Sequence, residues 1–313
     1  MKINVYNEYS PLKRVIIGDA SELYFPDSHA IENEKNKPWW EKLRNNVIFP
    51  LLRDRKVPMI ITKQFQKELA AFEALLKANH VEVLKVDPID YPSSLPPQEM
   101  GMGQMYARDS AMSVGNVFIE GNLQIEMRKK ERLGYQTIIT EISASNKVAS
   151  IPQEDAVYLE GGDVIVDYPN IFVGIGKYAS NLSGVNWLRK QLDASWNIVP
   201  IYLKDDSILH LDCCMTIIGP KTAIICRDVL EELPQELSDF TFIDIDKKVR
   251  QEMAGNVLVL GDKKVVVQQR HKKLQEDLRA HGFTPLPLSF TWHALLEGAF
   301  RCATCPLERG KAD

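Results

Sequence analysis

The chain has 313 residues, enough for one large domain or two ordinary ones with a real hydrophobic core. Hydrophobic residues make up 45%, charged residues 26%, and the formal charge is -4, which excludes a strongly basic nucleic-acid surface. No apolar stretch approaches the ~20 residues that span a bilayer, and Met1 to Tyr9 lacks the apolar block of a signal peptide. Neither nucleic acid nor membrane is therefore an expected partner. The five cysteines (Cys213, Cys214, Cys226, Cys302 and Cys305) are odd in number and unevenly spaced, a poor disulfide framework. Reduced thiols in a cytoplasmic setting are expected.

In chain order, one unit recurs: a short apolar strand, a tight turn and a second strand. The first copy is Lys13 to Ile17, followed by Gly18-Asp19. An insertion bearing Pro and Trp, Phe25 to Pro58, comes next, and then a helical pattern over Phe65 to Ala78. The second hairpin runs from Ser110 to Val114, turns at Gly115-Asn116 and returns through Val117 to Ile119. The basic stretch Arg128 to Arg132, broken by Glu131, reads as the solvated face of a helix. The third hairpin runs from Val164 to Val166 and turns at Tyr168-Pro169-Asn170 into Ile171 to Val173. A helix over Trp187 to Leu192 follows. The fourth runs from Cys213 to Ile218 and turns at Gly219-Pro220 into Ala223 to Ile225. The fifth runs from Val257 to Leu260, turns at Gly261-Asp262 into Val265 to Val267, and precedes a helix over Lys272 to His281. Gly, Asn, Asp and Pro at the joins are what hairpin turns demand. Five such units predict an α/β fold built by radial repetition, a propeller-like barrel in one domain spanning 1–313.

Acids sit at matching places in these units. Asp109 precedes the second hairpin, Glu160 and Asp163 the third, and His210 and Asp212 the fourth. Around a common axis these strand ends meet in one pocket. Turn capping is the plain alternative for any one acid. Three successive acids in one register point instead to a shared anionic site. Its natural ligand is a guanidinium, which offers coplanar N–H pairs to carboxylates. A nucleophile is available in Gly298-Ala299-Phe300-Arg301-Cys302-Ala303-Thr304-Cys305-Pro306. Cys302 attacks, His210 relays the proton and Glu160 orients the imidazole. The competing readings of Cys302-x-x-Cys305 are a redox dithiol and half of a zinc site; no second pair with metal spacing accompanies it. No metal and no cofactor is expected.

These residues resemble the amidinotransferases of the pentein superfamily, from about Asn7 to Gly310. The match is carried by Tyr9-Ser10-Pro11-Leu12 running into Val15-Ile16-Ile17-Gly18, by Arg108-Asp109 with Val114-Gly115-Asn116, and by Trp187-Leu188-Arg189. It continues with Lys204-Asp205 leading to His210-Leu211-Asp212, Ile217-Ile218-Gly219-Pro220, Asn256-Val257-Leu258, and Phe300-x-Cys302-x-Thr304-Cys305. The resemblance implies a five-bladed, pseudo-symmetric α/β propeller. It implies Cys302 as the residue that becomes an amidino-cysteine, His210 as general acid and base, and Glu160 as its carboxylate, where mitochondrial-type members carry Asp. It implies Asp109 and Asp212 as guanidinium-binding carboxylates and places Arg227 near an arginine that receives the donor's carboxylate. The family usually has three glycines and a histidine around Phe300 to Cys302, where this chain has Glu297-Gly298-Ala299-Phe300-Arg301. The expected partners are a small guanidino donor and an acceptor amine, and a homo-oligomer is compatible with the sequence. Amidino transfer is the first functional reading. Hydrolysis of a guanidino group by the same residues is the second, and a non-catalytic guanidino-binding module the third.

Overall fold

The computed structural model describes residues 1–25, 47, 55–89, 104–153 and 156–310. Most of the insertion expected over Phe25 to Pro58 lies outside these residues. Five three-stranded sheets are present, in the orders β15-β1-β2, β3-β4-β5, β6-β7-β8, β9-β10-β11 and β12-β13-β14. The strands are β1 (Leu12–Ile17), β2 (Glu82–Lys85), β3 (Ala111–Val114), β4 (Val117–Glu120) and β5 (Lys147–Ser150). They continue as β6 (Val164–Asp167), β7 (Asn170–Ile175), β8 (Asn197–Tyr202), β9 (Met215–Gly219) and β10 (Thr222–Ile225). The last are β11 (Thr241–Asp244), β12 (Leu258–Gly261), β13 (Lys264–Gln268), β14 (Thr284–Leu288) and β15 (Thr304–Arg309). The helices used below are α1 (Met59–Ala78), α2 (Gln136–Ser143), α3 (Leu182–Gln191), α4 (Lys247–Gln251), α5 (Lys272–Ala280) and α6 (Thr291–Leu295).

Each of blades two to five is an antiparallel hairpin whose second strand pairs in parallel with a third. In blades two, three and five a helix, α2, α3 or α5, makes the crossover, as a parallel connection requires. In the fourth, 3-10 turns at Arg227–Val229 and Gln235–Leu237 take that place. The expected hairpins two to five are therefore present, each extended by a strand the pattern had not shown. The first expected hairpin is different. Gly18-Asp19 does not turn β1 onto a following strand. Its antiparallel partner is β15, with Ile16 opposite Cys305 and Ile17 opposite Thr304, and α1 carries the chain to parallel β2. The C-terminal strand thus closes the ring on the N-terminal one, giving the five-bladed pentein propeller.

The hairpin turns show why their residues were chosen. Asp262 and Lys263 both have positive φ, 47° and 58°, the mirror-image turn that matches strand twist. The strands between are apolar on both faces: Met215, Ile217 and Ile218 of β9 are all buried, each side chain contributing roughly 1.5–3 kcal/mol. Helix α1 buries Phe65, Leu69, Phe72 and Leu76 at helical spacing. Phe72 meets Phe290 and Phe300 with ring centroids 5.5 and 5.2 Å apart. Phe300 lies two residues before Cys302, so this helix supports the segment that carries that thiol. Truncating Phe72 to Ala would cost about 3–5 kcal/mol.

Candidate active site

Each blade delivers one or two polar residues just before its first strand. Asp109 closes the single turn Ala107–Ser110 and Glu160 precedes β6. His210 and Asp212 flank the start of the 3-10 turn Leu211–Cys213 before β9. Asn256 precedes β12 and Cys302 precedes β15. All six are at most 2% exposed. Gly162 permits this convergence, because a Cβ there would stand 2.6 Å from the His210 ring and 2.9 Å from Asp109 Oδ1. Gly298 plays the same part near Cys302, where a Cβ would meet the Tyr106 ring at 2.2 Å.

The site has two connected halves. In one, His210 Nε2 lies 2.8 Å from Glu160 Oε2, and its Nδ1 lies 3.7 Å from Asp109 Oδ1. Glu160 is held by the Gln124 N–H on its other oxygen, at 2.9 Å. Burial opposes a charged imidazole, but Asp109, Glu160 and Asp163 outweigh it and push the His210 pKa well above the ordinary range. Asp163 shapes the backbone: its oxygens accept the N–H groups of Leu211 at 2.9 Å and Ser180 at 3.0 Å. Burial, against the pull of His210 and these bonds, pushes Asp163 up to about 7.

In the other half, Cys302 Sγ lies 3.6 Å from both oxygens of Asp212 and 3.1 Å from Asn256 Nδ2. A hydrogen bond with the Cys213 thiol, burial, and the charges of Asp212 and Asp109 hold the Cys302 thiol well above its usual pKa. The halves are joined where Asp212 N–H donates to the Gly162 carbonyl at 3.1 Å and Arg108 N–H to the Cys302 carbonyl at 3.0 Å.

The structure brings together Asp109, Glu160, His210, Asp212 and Cys302, but not Arg227. That guanidinium is 46% exposed, donates to Asp244 Oδ1 at 2.6 Å and lies over the Phe242 ring. The expected solvated face at Arg128 to Arg132 is overturned at three positions: Arg128, Glu131 and Arg132 are buried. Arg128 Nη2 donates to Asp109 Oδ2 at 2.8 Å while its Nε and Nη2 grip Glu131 at 2.9 and 2.8 Å. Burial pushes the Glu131 carboxyl up to about 7 in spite of Arg128. Arg301 Nη1 likewise donates to Asp212 Oδ2 at 2.8 Å, and its Nη2 to Glu8 Oε1 at 2.8 Å. Cys213 and Cys214, expected within a strand, instead lie in and just after the 3-10 turn. Of the residues the sequence reading left without a role here, Asn256 was recoverable from its register; Arg128 and Arg301 were not, because neither shares it.

One oxygen of Asp109 and one of Asp212 is thus occupied by a protein arginine. The other oxygen of Asp109 has no hydrogen-bond partner although it is buried, an expensive state for a carboxylate unless a donor arrives. A cleft of about 470 Å³ lined by Tyr9, Gly219, Lys263 and Phe283 lies at the far end of β9 and holds none of these groups.

The chain is similar to known proteins in sequence and in fold. L-arginine:L-lysine amidinotransferase of Pseudomonas savastanoi pv. phaseolicola is 22% identical, over 97% of this chain and 93% of its own. The uncharacterized protein YkgA of Bacillus subtilis (strain 168) is 27% identical over 66% of this chain and 71% of its own. The solved structure of SxtG, an amidinotransferase of Microseira wollei in saxitoxin biosynthesis, superposes with a TM-score of 0.83 at 22% identity, covering 99% of this chain and 98% of that one. The sequence model of the family described as "N,N dimethylarginine dimethylhydrolase, eukaryotic" matches residues 51–309. On that match, which spans most of its length, the chain belongs to the N,N dimethylarginine dimethylhydrolase family.

Proposed function

We propose that the chain, 1–313, acts as one catalytic domain that moves an amidino group from a guanidino donor such as arginine to an acceptor amine, through a covalent amidino-cysteine on Cys302. The observation that carries the guanidino assignment is the unpartnered, buried Oδ1 of Asp109 beside the His210 imidazole. A guanidinium supplies the missing N–H donor and a balancing positive charge. Its charge also opposes the carboxylates that keep the Cys302 thiol protonated in the free site. As the guanidinium binds, the Cys302 thiol releases its proton to solvent; the thiolate attacks the guanidinium carbon, and the carbon–nitrogen bond to the donor's amine breaks. His210, already holding a proton between Glu160 and Asp109, gives it to the departing nitrogen, so arginine leaves as ornithine. An acceptor amine then loses a proton to His210, attacks the amidino carbon and expels the thiolate. Arg227 is assigned to the donor's carboxylate, for which it must exchange Asp244.

Transfer is preferred because relatives named as amidinotransferases match nearly the whole chain. The second reading, hydrolysis, is favoured by the family description itself; water would then take the acceptor's place at the same carbon. The five free thiols fit a reducing, cytoplasmic compartment.

The deciding experiment incubates the protein with arginine and a panel of primary amines, reading products by mass spectrometry. Ornithine with a new guanidino product supports transfer. Citrulline without one, or dimethylamine from dimethylarginine, establishes hydrolysis instead. Cys302→Ala should abolish ornithine release. Cys305→Ala should retain most of it, because that thiol is buried in β15 and pushed up to about 12 by its burial.

A further inference from the structure

The fifth blade completes the ring with an uncharged residue. Asn256 stands two residues before β12, as Asp109 stands two before β3 and Cys302 two before β15. Its amide orientation is fixed by its partners. One arm accepts the backbone N–H groups of Ala299 at 3.2 Å, Arg301 at 3.1 Å and Cys302 at 3.1 Å, so that arm is the oxygen. The other arm is then the NH₂, which donates to the Asp212 carbonyl at 3.2 Å and to Cys302 Sγ at 3.1 Å. Among the described residues, this sulfur also approaches both oxygens of Asp212. The carboxylate repels a thiolate, whereas an amide N–H stabilises one.

We infer that Asn256 is a catalytic residue whose Nδ2–H holds the Cys302 thiolate while its Oδ1 fixes the loop that carries it. This rests on Cys302 being the nucleophile, as proposed above. Asn256→Asp separates the two duties, since it keeps an oxygen for the three backbone donors and turns the donor facing sulfur into an acceptor. The readout is the pH dependence of iodoacetamide alkylation at Cys302 in the free protein, followed by peptide mass. The variant's curve should move up by about one pH unit or more, with a ~10-fold slower rate at neutral pH. If Asn256→Asp does not fold, Asn256→Leu, which lacks both groups, is read with circular dichroism as control and should move the same way. A folded variant whose curve superposes on the wild type overturns the inference. The measurement uses no guanidino substrate, so a wild-type protein that transfers no amidino group while the curve still shifts defeats the functional proposal alone.

A different observation concerns Cys213. Its Sγ lies 3.8 Å from Asp212 Oδ1, the same oxygen that Cys302 Sγ approaches at 3.6 Å. Both thiols are buried and free. We propose that Cys213 and Cys302 are an oxidation site that closes to a disulfide in the presence of a peroxide. The Cys302 thiolate attacks one peroxide oxygen, the O–O bond breaks, and the sulfur becomes a sulfenic acid as the second oxygen leaves as water. Cys213 then attacks that sulfur, forming the S–S bond and releasing a second water; a small thiol reduces it again. Hydrogen peroxide should yield joined peptides lighter by two hydrogen atoms, with activity restored by dithiothreitol. In Cys213→Ser, oxidation should run on to a Cys302 peptide carrying two extra oxygens, and dithiothreitol should restore little of that variant's own starting activity. Absence of the joined peptide in the wild type, with the same recovery in both proteins, overturns the proposal.

Discussion

Asp109 and Asp212 arrive from neighbouring registers of two blades, yet the protein treats them differently. Asp109 has one oxygen on Arg128, while its other faces the His210 ring without a hydrogen bond. Asp212 has one oxygen on Arg301 and shares both with the Cys302 thiol. Symmetry places equivalent carboxylates; residues outside the symmetry decide what each can do. Under the proposed mechanism Asp109 receives the donor, and Asp212 sets the charge felt by the Cys302 thiol.

The largest effect that tests this division comes from paired neutral substitutions. Asp109→Asn should lower kcat/KM for the guanidino donor by at least ~1,000-fold, about 4 kcal/mol, and move the pH curve of Cys302 alkylation down by less than the loss of Asp212 does, because its charge is the weaker of the two on that thiol. Asp212→Asn should move that curve further downward, because the larger of the two charges that oppose the thiolate is gone. If both variants move the curve equally, the two carboxylates are not distinguished as described. Steady-state kinetics and the alkylation curve together decide it.

The same contrast explains what could be read from the sequence. Hairpins two to five were legible because turn residues and apolar runs lie side by side. Their third strands were not: segments such as Lys147–Ser150 and Thr241–Asp244 are short, half-polar and pair in parallel with strands further back in the chain. The closure of β1 on β15 joins residues at opposite ends of the chain, and no local signal marks it. Asp109, Glu160, His210, Asp212 and Cys302 were legible because each sits immediately before an apolar strand. Arg128 was misread because an Arg and a Glu three residues apart look like an exposed helix pair. Only the three-dimensional neighbourhood shows that the pair is buried and aimed at Asp109.

That misreading sets the next prediction. Arg128→Met keeps the volume and removes the cation shared by Asp109 and Glu131. Two buried carboxylates then face each other uncompensated, and stability should fall by about 3 kcal/mol, measured by urea denaturation. Adding Glu131→Gln should recover part of this loss by removing one of the two charges. A single variant as stable as the wild type would mean that Arg128 does not compensate Asp109.

The smallest effect lies behind Asp212, where Glu8 supports Arg301. Burial raises the Glu8 pKa, but Arg301, Arg108 and Arg309 together bring it down to about 2, against an ordinary value of 4.5. The folded form therefore releases this proton more readily than the unfolded chain does. Between those two values the unfolded state binds more protons, so stability rises with pH across this window and is fully present above about 4.5. It is lost as pH falls from about 4.5 toward about 2, and the amount at stake is about 2–3 kcal/mol. Glu8→Gln removes the titrating group, so the variant should be less stable than the wild type near neutrality and should lack this part of the acid slope. The two stability curves, measured by urea denaturation at a series of pH values, should therefore converge as pH approaches 2. Parallel curves would mean that Glu8 is not ionised against Arg301, and that Asp212 alone balances the arginine beside the nucleophile.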